Sequence, residues 1–566
     1  MAAISKIFQN ARYPEDTLVK ALSTVAAMQA DTFLAIGDSV KTDGYTTAGD
    51  GGGATYLVAA SQAVDGYGDH ALANGTVALL QKDDGITFLC YGVSEILSDN
   101  SPAATAALAA NTGSLITLPA GDYEVERPIE MPTVGCSIRG TGRLFAVTLA
   151  GVPVKGQRIL SCEGCSGFSI TGVTFDTSTI ATFTNGGRAI YLDQCTSFSI
   201  VGVKFKVSGA AYGATACSKY LISQNVASVV STDNLPKHDG IYDQWAGSSN
   251  FTITDNYVTG NGIGKYGILV TGETTANTAA GCEDFVIANN RCKGLTQSGI
   301  WSSGRSGINK QFTITGNTVT DITPFHGINV SDASSFTVSA NTIRNIGANG
   351  IRLHEETTSN GVTGARIGSV TGNSIYNCNT VGSAGATEGS TIAVLASSSS
   401  AVNVTGNTIE GTNHIYGVLF GGGVTGCSES GNKSVGHTGT TAVLDSSGTR
   451  TNLISSGVYT ITGTAVTNTD SLTGSLRYRC NGDSVTCFLK FTLDPTAAGD
   501  TIAKFDLPVA ASLVTAGDLY GAGNDSFSTT ANLYADTVNN EGVVRMNAGS
   551  ASAVVLYGSF TYAIDN

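Results

Sequence analysis

Charge is scarce in this chain, and positive charge is scarcer still. Only 13% of its 566 residues are charged, and 44 acids against 30 bases leave a net charge of -14. Nucleic acid rewards a basic surface, so no nucleic acid partner is expected. An acidic polymer would need a local patch of Arg or Lys set against the overall field. No uncharged apolar run reaches the roughly 18 residues of a membrane span, and Met1 is not followed by the basic and apolar segments of a secretory signal. Metal-ligand patterns are missing as well. The CEGC at Cys162 to Cys165 has no second pair at zinc spacing, so neither metal nor cofactor is expected. Tryptophan is limited to Trp245 and Trp301.

What the chain does have is glycine, at 71 residues, and a repeat. Between Ser249 and Glu356 the segments NFTITDN, DFVIANN, QFTITGN and SFTVSAN recur, each followed by a polar turn, a Gly-Ile pair and a second alternating run. The Asn stands five positions after the aromatic. Period-2 alternation inside a repeat of this length is the signature of a β-solenoid. With the Asn as marker, the register covers Asn225, Asn256, Asn290, Asn317, Asn341, Asn373, Asn407 and Asn432, with Val173 and Val203 holding the position upstream. The steps vary from 22 to 34 residues, so insertions fall in loops on a constant strand frame. A coil cannot bury its apolar face alone; like positions stack on like positions about 4.8 Å apart. Asn side chains then bond up and down the stack, and Phe168, Phe198, Tyr220, Phe251, Phe285, Phe312 and Phe336 fill the interior. Cys165, Cys195, Cys217 and Cys282, three residues before the aromatic, form a buried column.

Four regions follow. Residues 1–30 are expected to be a helical attachment segment, since Leu18, Leu22 and Val25 share a face after Pro14-Glu15-Asp16. Residues 31–92 read as a small β region. Residues 93–449 read as an all-β parallel β-helix of about ten or more rungs, to which the resemblance given below adds an N-terminal capping helix. Residues 450–566 lose the Asn register and give separate strands with hairpin signals such as Asn481-Gly482; the resemblance given below implies that they form a β-sandwich for trimerisation or carbohydrate binding.

Chemistry is expected on the Gly-Ile strand. Setting Ile190, Ile241, Ile268, Ile300, Ile328 and Ile351 inward puts the alternate residues outward. The outward set is Tyr191 and Asp193, Tyr242 and Gln244, Leu269, Thr271 and Glu273, Trp301, Ser303 and Arg305, Asn329 and Ser331, then Arg352, His354 and Glu356. Aromatic faces stack on pyranose rings, Arg forks bind carboxylates, and two carboxyls serve as acid and as base or nucleophile. The catalytic candidates are Asp243, Glu273 and Glu356, joined by Asp239 on the resemblance given below, with His238 and His354 as proton carriers. Tyr242, Trp245, Trp301, Arg305, Arg352 and His354 are the substrate-binding candidates. Asp243 sits at an even offset and would face inward unless the strand ends at Tyr242. Glu273 and Arg305 share an offset on neighbouring rungs and equally fit a surface ion pair.

Three blocks carry a family resemblance. GDSVKTDGYTTAGDGGGATY resembles a segment found ahead of the β-helix in many phage tailspikes, and SPAATAALAANTGSLITLPAGDYEV resembles the capping helix and first strand of the pectate-lyase-like β-helix superfamily. LDPTAAGDTIAKFDLPVA and SAVVLYGSFTYAI resemble the terminal β-sandwich of phage tail fibres. The chain thus resembles a bacteriophage tailspike, or capsule depolymerase. That implies a homotrimer on the virion tail, attached through its N-terminus to another tail protein and acting outside the host cell on a capsular or other surface polysaccharide. Glycoside hydrolysis is the implied reaction. The alternatives are a lyase acting beside a uronate, through Tyr242, His238 or Arg352, and a non-catalytic receptor-binding spike. In the polygalacturonase branch of the superfamily an Asp in an NTDGI segment is catalytic; His238-Asp239-Gly240-Ile241 matches it in part, but GNGIGKYG stands where that branch has an Asp-Asp pair.

Overall fold

The computed structural model describes residues 19–563 except 83–84, 147–157, 181–186, 231–239, 273–280, 305–306, 356–363, 383–385, 396–398, 423, 439–442, 446–455, 482–483, 508–518, 526–529 and 540. Two compact units divide the chain, residues 1–212 and 213–566.

In the first unit a helix was expected over 1–30; among the described residues of that span, which begin at 19, it runs over Val25–Ala30, capped by Thr24, whose hydroxyl accepts from the Ala27 N–H at 3.1 Å. Lys20–Leu22 is a strand instead, parallel to Ser39–Thr42. The apolar positions that suggested one helical face are shared between two elements: Val25 and Met28 are buried from the helix, while the strand completes a five-stranded sheet. Leu18 lies outside the described residues. The capping helix forms as read, over Ser101–Ala110, and its buried Ala103, Ala104, Ala107 and Leu108 permit close approach. Ser101 donates to the Arg127 carbonyl at 2.6 Å, and the Asn111 amide donates to the Tyr91 hydroxyl at 2.8 Å, tying both helix ends to the surrounding coils.

Each following rung contains three strands in three parallel sheets, the arrangement of a parallel β-helix. In the second unit the first sheet carries the aromatics, in Ser249–Thr254, Glu283–Ala288, Asn309–Thr315 and Ala333–Ser339. Tyr220, Phe251, Phe285, Phe312 and Phe336 stack face to face, with ring centroids 4.6 to 5.6 Å apart. The Asn column follows at the turn into the second sheet. Asn317 shows its pattern: Oδ1 accepts from the Asn290 backbone N–H at 2.9 Å and from its side-chain amide at 3.0 Å, while Nδ2 donates to the Ile287 carbonyl at 2.9 Å. The same bonding runs from Asn225 to Asn432. It satisfies turn amides that burial would otherwise orphan. The eleven cysteines whose side chains are described are buried and form no disulfide, and no cluster of three metal-binding side chains occurs among the described residues.

The C-terminal strands close into an eight-stranded antiparallel barrel where a sandwich was expected. Ser456–Thr467 explains the closure. It pairs with Thr469–Asn481 along its first half and with Gly499–Phe505 along its second, so neither edge stays open. Leu476, Phe491, Phe505, Leu533 and Phe560 fill the interior.

Candidate functional site

The third sheet of the second unit contains Gly240–Trp245, Tyr266–Thr271, Ser298–Ser303, His326–Ser331 and Ile351–His354. Ile268, Ile300, Ile328 and Ile351 are in register and fully buried, as the alternation requires. The first strand departs from the expected frame by one residue. Gly240 pairs with Tyr266 and Tyr242 with Ile268, so Ile241 falls opposite the glycine of its neighbour. A one-residue slip exchanges the two faces of a strand. Tyr242 is therefore turned inward and fully buried, a correction to its expected place on the binding surface; burial raises its phenol well above the ordinary range. Gln244 also points inward, where the Tyr220 hydroxyl donates to its amide oxygen.

The slip moves Asp243 to the outward column, which reads Asp243, Leu269, Trp301, Asn329, Arg352 on consecutive rungs. The strand runs on to Trp245, so Asp243 faces this wall without the strand having to end at Tyr242. The Trp245 indole N–H donates to its carboxylate, and no part of Asp243 is exposed. A second outward column holds Thr271, Ser303, Ser331 and His354, and Trp245 stands one residue beyond Gln244 on the rung before it. His238, Asp239, Glu273, Arg305 and Glu356 lie outside the described residues.

Two side chains of the wall escaped the reading of the sequence: Tyr266 and His326. Both stand two residues before the inward Ile, at the corner where the strand begins, and the Gly-Ile marker skips that position. Tyr266 packs against Trp301 with ring centroids 4.9 Å apart at 45°. The Trp301 indole donates to the Ser331 hydroxyl at 3.3 Å, which fixes the edge of the ring and leaves it partly exposed. Arg352 donates through Nη1 to Nε2 of His326 at 2.8 Å. Because a guanidinium only donates, His326 is neutral and its Nε2 accepts. Burial, then the Arg352 charge, then His354 bring the His326 imidazole down to about 3, and burial with Arg352 does the same to His354, also to about 3. Nδ1 of His354 and Oδ1 of Asn329 are buried and find no partner among the described residues. Such atoms ordinarily mark where water or a ligand hydroxyl sits. The wall thus offers an aromatic platform, two unsatisfied polar atoms, a guanidinium beside unprotonated imidazoles, and a carboxylate, spaced rung by rung.

Comparison with known proteins gives a match to the family model of a right-handed beta helix region over residues 239–434. No curated protein sequence matches. Among solved structures, the chain is similar to a tailspike protein of Acinetobacter baumannii bacteriophage Fri1, a capsular polysaccharide depolymerase, with a TM-score of 0.46 and 13% identity over 96% of this chain and 98% of that one. It is similar to the Dettilon tailspike protein, with a TM-score of 0.41 and 14% identity over 83% and 91%. The A-module of an Azotobacter vinelandii mannuronan C-5 epimerase, AlgE6, gives a TM-score of 0.45 and 18% identity over 64% and 98%.

Proposed function

We propose that this protein is a phage tail spike that binds and depolymerises a bacterial surface polysaccharide, a capsule above all, as a homotrimer working outside the host cell. The observation that carries the proposal is the outward column Asp243, Leu269, Trp301, Asn329, Arg352. It repeats about every 4.8 Å, a spacing comparable to one sugar of a linear chain. Stacking on Trp301, backed by the buried Tyr266, would seat a pyranose, Asn329 Oδ1 would accept from one of its hydroxyls, and His354 Nδ1 would exchange a hydrogen bond with another. The reaction we favour is glycoside hydrolysis with Asp243 as one carboxyl. Asp239, Glu273 and Glu356 are its proposed partners on sequence position alone. Adjacent rungs would set two carboxyls about 5 Å apart, as retention needs, and alternate rungs about 9 to 10 Å, as inversion needs.

A second reading has its own observation. Arg352, held by the neutral His326, would offset a uronate carboxylate as elimination requires, with His238 the proposed base on sequence position alone. The test is to incubate the protein with capsular polysaccharides from a panel of strains while following chain length, reducing ends and ultraviolet absorbance. Shortening with new reducing ends and no absorbance gives hydrolysis. Shortening with absorbance from a new carbon–carbon double bond gives elimination, and a polymer that is bound but keeps its length overturns the enzyme.

A further inference from the structure

The strand Gly240–Trp245 is fixed in its slipped frame from both ends. A Cβ on Gly240 would stand 2.7 Å from Cβ of Leu269 and 2.8 Å from the Tyr242 carbonyl oxygen, so the strand has no room there for a side chain. Tyr242 is fully buried on the inner face. At the far end the Trp245 carbonyl accepts from the Cys282 thiol at 3.4 Å, which ties down the backbone that carries the indole. Asp243 and Trp245 stand two residues apart on this strand, and alternate residues share a face.

The indole N–H of Trp245 donates to Oδ2 of Asp243. An indole nitrogen only donates, and a donor fixed on a carboxyl favours its ionised form. No part of Asp243 is exposed. A carboxylate cut off from water keeps its charge only where donors replace its solvation, and the indole is one such donor. Paired carboxyls divide their work by protonation: one enters the reaction with its proton, the other without. A tryptophan bonded to one of the two bears on which role that carboxyl takes.

We infer that Trp245 is a positioning residue of the proposed hydrolysis, holding Asp243 ionised and aimed so that it serves as base or nucleophile and leaves the acid's part to its partner. The inference rests on the proposed reading of Asp243 as one of the two carboxyls. Asp243 gives an electron pair to the anomeric carbon, or to a proton of the water that attacks that carbon. The bond from the carbon to the leaving sugar breaks, and the leaving oxygen takes its proton from the partner carboxyl. The test uses the full chain on a capsular polysaccharide that the wild type cleaves, with W245F, which keeps a ring and loses the donor, W245Q, which keeps a donor and loses the ring, and D243N beside them. In W245F the acidic limb of kcat/KM should move up by about one pH unit, because a carboxylate that has lost a donor ionises only at higher pH. On that limb kcat/KM should fall roughly tenfold, through kcat and not KM. W245Q should keep the limb near its wild-type position while KM rises. An unmoved limb in W245F, with D243N inactive, overturns the inference and leaves Trp245 a platform for sugar. W245F protein with a lowered thermal midpoint and activity lost equally at every pH shows the bond to be a structural brace, which also overturns it. Full activity in D243N, or a wild type that cleaves no polysaccharide, overturns the reading beneath the inference, and each is distinguishable from the first two results.

Discussion

At the scale of the residue, the two kinds of polar side chain in the solenoid behave differently, and each gives a test. Asn317 is fully bonded, so Asn317→Ala orphans the Asn290 amides and the Ile287 carbonyl together. Each buried group left unpaired costs about 1–3 kcal/mol, and the loss should appear as a lower urea midpoint. His326 and His354 are held neutral against an ordinary value of 6.5. The unfolded chain takes up these protons below about pH 6.5 and the folded one only near 3, so stability falls as pH drops through that window. Melting followed from pH 7 to 4 should show a decline that H326Q reduces. Trp301→Ala removes half of the aromatic pair while its neighbours Leu269 and Asn329 stay in register. It is expected to raise the KM for a polymer substrate roughly tenfold, about 1.4 kcal/mol, with little change in the melting temperature.

At the scale of the element, the aromatic stack sets the rung. Phe285 lies between Phe251 and Phe312, with centroids 4.9 and 4.6 Å away, so Phe285→Ala should cost about 3–5 kcal/mol in an unfolding titration. This column and the Asn column were legible because strict period-2 patterns have one stable placement when one face is buried. The Gly-Ile strand was less legible. Its pattern fixed the inward face wherever Gly-Ile opened the strand at the same point, but Gly240-Ile241 carries the same two letters one position out of register. Two residues cannot report a register that the neighbouring rungs set through backbone pairing. That slip alone exchanged the places of Tyr242 and Asp243. The corner residues Tyr266 and His326 were missed for a related reason: the chain turns there, and alternation says nothing about where a side chain goes in a turn. The barrel closure was also out of reach, since Ser456–Thr467 alternates in the same way whether one partner or two share its length.

At the scale of the whole molecule, the net charge of -14 acts on any acidic substrate before a side chain touches it. Salt screens that repulsion over about 10 Å at 0.1 M. The association rate with a uronate-rich polymer should therefore rise with ionic strength, the reverse of a protein that binds nucleic acid, while a neutral polymer should be indifferent. Stopped-flow or surface-binding kinetics across a salt series would check this. A mechanical consequence follows from the stacking of the rungs. Their hydrogen bonds and stacked rings point along the direction in which the rungs repeat, and none of the eleven cysteines whose side chains are described forms a disulfide across them. Pulled along that direction, the ladder is loaded one rung at a time and unzips from an end. Pushed along it, backbone rests on backbone and ring on ring, with nothing to slip. A stack of rungs so built bears thrust better than tension.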